Sequence, residues 1–332
     1  MFSSQAPSKL ILAGEHSVIF GATAITTRLA WATHCDIQTA NTGDLHLSNG
    51  QAIAWDSHSL NLHWQQIQRR HQQWQQDASH PLLTQLSDLP LAVLALWQQH
   101  HDLPPLTIAL CSEIPIGQGL GSSASLIIAL IQGLCQATAT PLSLSQIQQM
   151  ATQCEQLAHG KSSGLDVAAI LFSDRLHWKE GKITELSTRY PLPGYLVFTG
   201  KAQSTTADCV GWVKQHHANN ETLWSRMNHL SEQIAVCLDE PDSRLALAQP
   251  IHSLQTCLVT LGVVPKPVQA FAQYALERGW AGKLCGAGSI GGDGGGFFWL
   301  LADQEPQALC QAFGYDYWRL SDLSTNNSHW KP

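Results

Sequence analysis

The stretch SEIPIGQGLGSSASLIIAL, residues 112–130, sets Pro115, Gly117, Gly119 and Gly121 directly before an apolar run that reads as a helix. A glycine-rich loop feeding a helix leaves backbone N–H groups uncovered, and the helix N-terminus adds a partial positive charge. Together they form an anion site that suits phosphate. Glycine at 117, 119 and 121 permits close approach because no Cβ intervenes. Gln118 and Leu120 complete the loop, and Ser122 and Ser123 can contact a phosphate or a metal bridging phosphates. The same residues also read as an ordinary loop with a serine cap. This is not a Walker-type loop, because the Gly-Lys-Ser/Thr ending is missing. Nor is it a dinucleotide fingerprint, because no acidic residue ends a second strand about 20 residues on.

The whole chain bounds what such a loop could serve. Its 332 residues favour two domains over one core. Hydrophobic residues make up 44% and charged residues 13%, which fits a globular protein and excludes wholesale disorder. A net charge of −7 argues against a nucleic-acid or anionic-membrane binder. No apolar run approaches the roughly 20 residues that cross a bilayer, and the start MFSSQAPSKLILAGEH does not read as a signal peptide. Nine scattered cysteines without a Cys-x-x-Cys pair read as reduced, mostly buried thiols of a cytoplasmic protein.

Hydrophobic patterning places strands at 8–14, 32–40, 105–113, 194–200, 281–288 and 295–302, with a last one in YDYWRL. It predicts hairpins around Asn49-Gly50 and Glu180-Gly181. Helices are expected over 60–76, 82–100, 122–138 and 143–158, the last capped by Ser143 or Ser145. Polar helix-forming sequence fills 204–262, and an amphipathic helix over 266–279 stops at Gly279. The tail SDLSTNNSHWKP reads as frayed. The domain boundary falls near YPLPGY, giving 1–190 and 191–332.

Three separated segments, with one more in the central region, carry a resemblance to a known family. PSKLILAGEHSVIFG (7–21), EIPIGQGLGSSAS (113–125), EQLAHGKSSGLDVA (155–168) and KLCGAGSIGGDGGGFF (283–298) resemble, in order and spacing, the motifs of the GHMP small-molecule kinases. Within that family they are most similar to the mevalonate kinases. The resemblance implies an α/β (α+β) two-domain fold, with a ribosomal S5 domain 2-like N-terminal domain and a ferredoxin-like C-terminal domain. It further implies an ATP- and Mg²⁺-dependent kinase acting on a small alcohol, mevalonate before others. Family members are often homodimers.

Carried over residue by residue, the resemblance puts the catalytic pair at Asp166 and Lys9. An alcohol is a poor nucleophile, and a carboxylate in reach can accept its proton during phosphoryl transfer. A cation there favours the developing alkoxide. By themselves Asp166 also reads as a helix cap and Lys9 as a surface lysine. ATP would lie over Gly117, Gln118, Gly119, Leu120, Gly121, Ser122 and Ser123, closed by Gly286, Ala287 and Gly288, although the last cluster also reads as a hairpin turn. Ser123 and Glu155 map to the Mg²⁺ ligands, with Ser122 the alternative to Ser123 and a helix-surface carboxylate the alternative for Glu155. Glu15, His16 and Thr205 map to the acceptor pocket.

The match is incomplete. Ser8 replaces the usual glycine before Lys9, Lys161-Ser162 stands where Asn-Pro is common, and Val167 stands where Asn is frequent. The segment GAGSIGGDGGG is long and contains Asp293, which is similar to phosphomevalonate kinases. A phosphorylated acceptor should need additional cations, and few stand near the motifs: Lys9, Arg28, Lys161, Lys201 and Lys283. That scarcity favours mevalonate over phosphomevalonate. A nucleotide and metabolite sensor without turnover is the rival from another class.

Overall fold

The computed structural model describes residues 1–77, 80, 82–160 and 162–324. The chain builds two sheets in sequence. The first contains β1 (Phe2–Ala13), β2 (Ala24–Thr39), β3 (Gly43–Leu47), β4 (Ala52–Trp55), β5 (Leu106–Ser112), β6 (Arg175–Lys179) and β7 (Lys182–Glu185). They run in the order β4-β3-β5-β2-β6-β7, with β1 also paired to β2. β3 and β5 pair in parallel. Such a pair needs a long crossover, and β4 with helices α1 (Ser57–Gln76) and α2 (Asp88–His100) supplies it. The second sheet, β11-β8-β10-β9, is antiparallel throughout and joins β8 (Tyr195–Phe198), β9 (Ala281–Leu284), β10 (Phe297–Leu301) and β11 (Asp316–Arg319).

Helices α3 (Ser122–Ala137), α4 (Leu144–His159) and α5 (Leu165–Leu171) follow β5. The remaining helices, α6 (Thr206–His217), α7 (Glu221–Cys237), α8 (Ser243–Thr260), α9 (Lys266–Leu276) and α10 (Gln307–Phe313), belong to the later half. One apolar core joins Ala6, Cys35 and Ile37 of the β1–β2 hairpin to Ile127, Ile128 and Ile131 of α3. A second joins Leu10, Leu12, Ile25 and Leu29 of the same hairpin to β8, β10 and helices α7 to α9.

A hairpin can serve both cores because its register shifts between Pro7 and Ser8. Pro7 faces Ala32 and Ser8 faces Leu29, so two residues of β2, Ala30 and Trp31, stand opposite no residue of β1, and such an irregularity bends and twists the ladder. Before the shift, even-numbered Ala6 lies on the α3 side, where its carbonyl accepts from the Ser125 hydroxyl at 2.7 Å. After it, Leu10 and Leu12 turn to the second core, and odd-numbered Lys9 takes the side facing Gly121 and Ile170. Pro7 has no backbone N–H to give to a ladder and suits such an interruption. Ser8, which stands where glycine is usual, is not among the positive-φ residues and continues the strand.

Most expected elements appear, with three differences. β1 and β2 reach well beyond 8–14 and 32–40, because each completes the other's ladder. The second helix starts at Asp88 instead of 82: the Asp88 carboxylate accepts from the backbone N–H groups of Thr84 and Gln85 and holds that segment as a turn. The start of the supposedly frayed tail, Ser321–Leu323, joins Leu320 in a 3₁₀ turn whose leucines are buried; residues 325–332 lie outside the described residues. Ser143 does cap α4, in a reciprocal box with Gln146. All nine cysteines are free, and Cys35, Cys154, Cys209, Cys257, Cys285 and Cys310 are buried. Among the described residues no helix is long and apolar enough to cross a membrane.

Candidate active site

The glycine loop has the geometry that leaves N–H groups bare. Gly117, Gly119 and Gly121 all adopt left-handed backbone, φ 72°, 80° and 74°. Gly121, not a serine, occupies the cap of α3, and no side chain caps that helix. The first-turn donors therefore have no side-chain acceptor, as an anion site requires. Leu120 is buried and its carbonyl accepts from the Lys9 N–H at 3.0 Å, tying the loop to β1. Gln118 is also buried, and its Oε1 has no partner among the described residues. Ser122 and Ser123 are partly exposed at the helix start.

Lys9 is 2% exposed, so the surface reading fails. Its ammonium lies 2.9 Å from Asp166 Oδ1. Asp166 does not cap α5, since Gly164 holds that position; it sits inside the first turn. A Cβ on Gly121 would come within 2.9 Å of Lys9 Cγ and 3.3 Å of Ile170 Cδ1, so glycine there lets the loop, the lysine and α5 meet.

Glu155, near the end of α4, is buried and not a surface carboxylate. Among the described residues its Oε1 has no hydrogen-bond partner. Burial pushes its carboxyl above the usual range, and Asp166 pushes the same way, against the pull of His159, Ser123 and Lys9. His159, one turn on, has its Nε2 3.1 Å from Ser123 Oγ and 3.7 Å from the Glu155 carboxylate. His159 lies in the segment EQLAHG, where no role is assigned to it from sequence. Its spacing of four from Glu155 on one helix face was the available signal.

The third glycine segment closes on the first. A Cβ on Gly119 would lie 3.6 Å from Gly286 Cα. Gly286 and Gly288 take left-handed backbone, φ 82° and 71°. The segment does connect antiparallel β9 and β10, so it is both hairpin connection and neighbour of the loop. Between its glycines, the Ala287 carbonyl accepts from His16 Nε2 at 2.9 Å. Glu15 and His16 are thus at this junction and buried, with Glu15 ion-paired to Lys283. Thr205 is engaged otherwise: its hydroxyl forms a capping box with Asp208 at the start of α6. The adjacent Ser204 hydroxyl bonds Ser289 and Ile290 of the glycine segment instead. Lys161 lies outside the described residues.

The arrangement brings an open glycine cradle, a Lys–Asp pair and an orphaned buried carboxylate together from four parts of the chain. The model of the GHMP kinases N terminal domain matches residues 88–174. Mevalonate kinase of Bos taurus is 30% identical, over 95% of this chain and 91% of the relative. The crystal structure of Methanococcus jannaschii mevalonate kinase superposes with a TM-score of 0.78 at 19% identity, covering 96% of this chain and 98% of that one. Streptococcus pneumoniae phosphomevalonate kinase, in complex with phosphomevalonate and AMPPNP, gives 0.73 at 15% identity, covering 96% of this chain and 100% of its own. The two structures speak for the fold alone; the sequence relationship along nearly all of both chains goes further, and this chain belongs to the mevalonate kinases of the GHMP kinase family.

Proposed function

We propose that the protein transfers the γ-phosphoryl group of ATP to the primary hydroxyl of mevalonate, giving 5-phosphomevalonate for isoprenoid precursor synthesis. The observation that carries this reading is the Lys9–Asp166 pair, 2.9 Å apart beside the uncapped start of α3. Asp166 would accept the hydroxyl proton, or orient it, as the oxygen attacks phosphorus. Lys9 would stabilise the negative charge that grows on that oxygen. The triphosphate would lie over 117–123, with 286–288 against it, between an N-terminal unit of residues 1–190 and a C-terminal unit of 191–332. Glu15 and His16 would form the acceptor wall, and Thr205 would act there only by seating α6.

The residues present fit a magnesium ion. Glu155 keeps a buried oxygen with no donor among the described residues, and Ser123 Oγ lies in the same cluster. Those are hard oxygen ligands of the kind Mg²⁺ takes along with phosphate oxygens and water. When bound, the ion would neutralise charge on the phosphates; the protein's own task is to hold Glu155 and Ser123 toward it.

Mevalonate is favoured over its phosphorylated form by the state of the cations. Lys9 is paired with Asp166, Lys283 with Glu15 and Arg28 with Asp174, and Lys201 is exposed. None of the first three is left over for a phosphate on the acceptor. Asp293 is exposed in its loop and adds negative charge, not positive. Free thiols accord with a cytoplasmic location.

The test is ADP release with mevalonate, phosphomevalonate, homoserine and galactose in parallel. Mevalonate-dependent release is expected. Release with phosphomevalonate alone would move the assignment to that acceptor, and ATP binding without turnover of any of the four would favour a sensor.

A further inference from the structure

Lys283 takes no part in the steps above, yet it is wholly buried on β9. Its ammonium pairs with Glu15 from the first half of the chain, and neither side chain exposes any surface. Cys285 Sγ lies 3.6 Å from the same Nζ. Burial pushes this ammonium's pKa down, the facing Glu15 carboxylate pushes it up, and the pKa stands above the ordinary value. Cys285 is itself pushed up to about 11, so near neutrality it is an uncharged thiol. Glu15 is therefore the charge that keeps the lysine charged.

Glu15 opens an unusual corner. The Ser17 N–H donates to the Glu15 carbonyl at 2.6 Å, closing a three-residue turn around His16. His16 takes φ 58° and ψ −44°. That is a γ-turn of the rare, strained hand, in a residue that is not glycine. Such a conformation persists only where its surroundings over-determine it, and strain of this kind collects at functional sites. Two side-chain contacts brace the corner, and both come from β9 and the turn after it: Lys283 on Glu15 and the Ala287 carbonyl on His16 Nε2. Because a carbonyl only accepts, Nε2 carries the proton. Burial also lowers the His16 pKa, so the ring is neutral and Nδ1 is a bare acceptor. Among the described residues neither Nδ1 nor Glu15 Oε2 has a donor. The corner thus presents two unfilled acceptors, matching the hydroxyl donors of an alcohol.

We propose that Lys283 is a positioning residue for phosphoryl transfer: by pairing with Glu15 across the two sheets it holds the strained His16 turn in the form that the acceptor meets. It acts through Glu15, not on the reacting atoms. The inference rests on the reading of Glu15 and His16 as the acceptor wall.

A double-mutant cycle of Lys283→Met and Glu15→Gln tests it, with kcat, KM for mevalonate, KM for ATP and melting temperature measured for each protein. Lys283→Met should lower kcat/KM for mevalonate by about 30-fold or more, with KM for ATP within about twofold of wild type. In the Glu15→Gln background the same change should add less than about threefold, while the neutral pair melts above either single variant. Three results would overturn the proposal: unchanged mevalonate kinetics in Lys283→Met, equal damage to both substrates, or effects that multiply in the double variant. Should Lys283→Met fail to fold, Glu15→Gln against the double variant decides alone, since a further large drop there means that Lys283 does not act through Glu15. Wild-type protein that releases no ADP with mevalonate fails the functional reading instead, so the two failures are distinct.

Discussion

Lys9 and Lys283 show the same pattern twice. Each is a lone cation in an apolar strand, and each is buried against a carboxylate from a distant segment. They differ in that carboxylate. Asp166 keeps 35% of its side chain exposed, whereas Glu15 keeps none. A carboxylate that water and substrate can reach is free to exchange partners during a reaction. A closed one cannot do so without leaving a buried charge uncompensated. Neighbours decide which is which: Asp166 stands in the first turn of a short helix beside an open glycine loop, while β9 covers Glu15. On the proposed reading the open pair serves chemistry and the closed pair architecture.

The sharpest way to break this contrast is at the open pair. Asp166→Asn should cut turnover about 10³-fold and leave ATP affinity, read by nucleotide titration, nearly unchanged. Turnover close to wild type would return Asp166 to a purely structural role. Lys9→Met should follow with a loss of about 10²-fold in kcat. Its melting temperature should fall less than that of Lys283→Met, because a partner-less Asp166 can hydrate and a partner-less Glu15 cannot. The reverse order in differential scanning fluorimetry would dissolve the comparison.

Smaller effects sharpen it. Gly121→Ala places a Cβ 2.9 Å from Lys9 Cγ at a φ of 74°. A cost of about 1–3 kcal/mol in urea unfolding is expected, with reduced kcat because the lysine must shift. Glu155→Gln should change nucleotide-free stability least and in the opposite direction, raising it by about 1 kcal/mol at neutral pH. The sign follows from its raised folded-state pKa. Between the unfolded and folded pKa values the native state holds a proton that the unfolded chain releases, so stability falls as pH rises through that window. The variant should lose that slope, and should need more Mg²⁺ for the same rate. A pH slope identical to wild type would remove Glu155 from the buried, orphaned class.

Local features were legible in the residues. The glycine loop, the Ser143 cap, both short hairpins and the helix from Lys266 follow from turn chemistry and periodicity, which act over a few neighbours. The order of the motifs pointed to the family. Lys283 was equally visible, as a cation in AGKLCG, but with no partner in view it stood only as one of several nearby charges. Thr205 shows the converse. A motif position suggested an acceptor contact, while its own sequence, Thr-x-x-Asp, already spelled a capping box.

By itself the sequence determined which segments are strands, helices and phosphate-fitting turns, and that an acid, a base and a cradle are all present. Only the tertiary structure decided which charges meet. Past the two-residue register shift at Pro7–Ser8, Lys9 meets Asp166, and β9 closes over Glu15 and braces the strained turn at His16. Those outcomes depend on distances of a few ångströms between residues far apart in the chain, and no pattern confined to neighbouring residues encodes them.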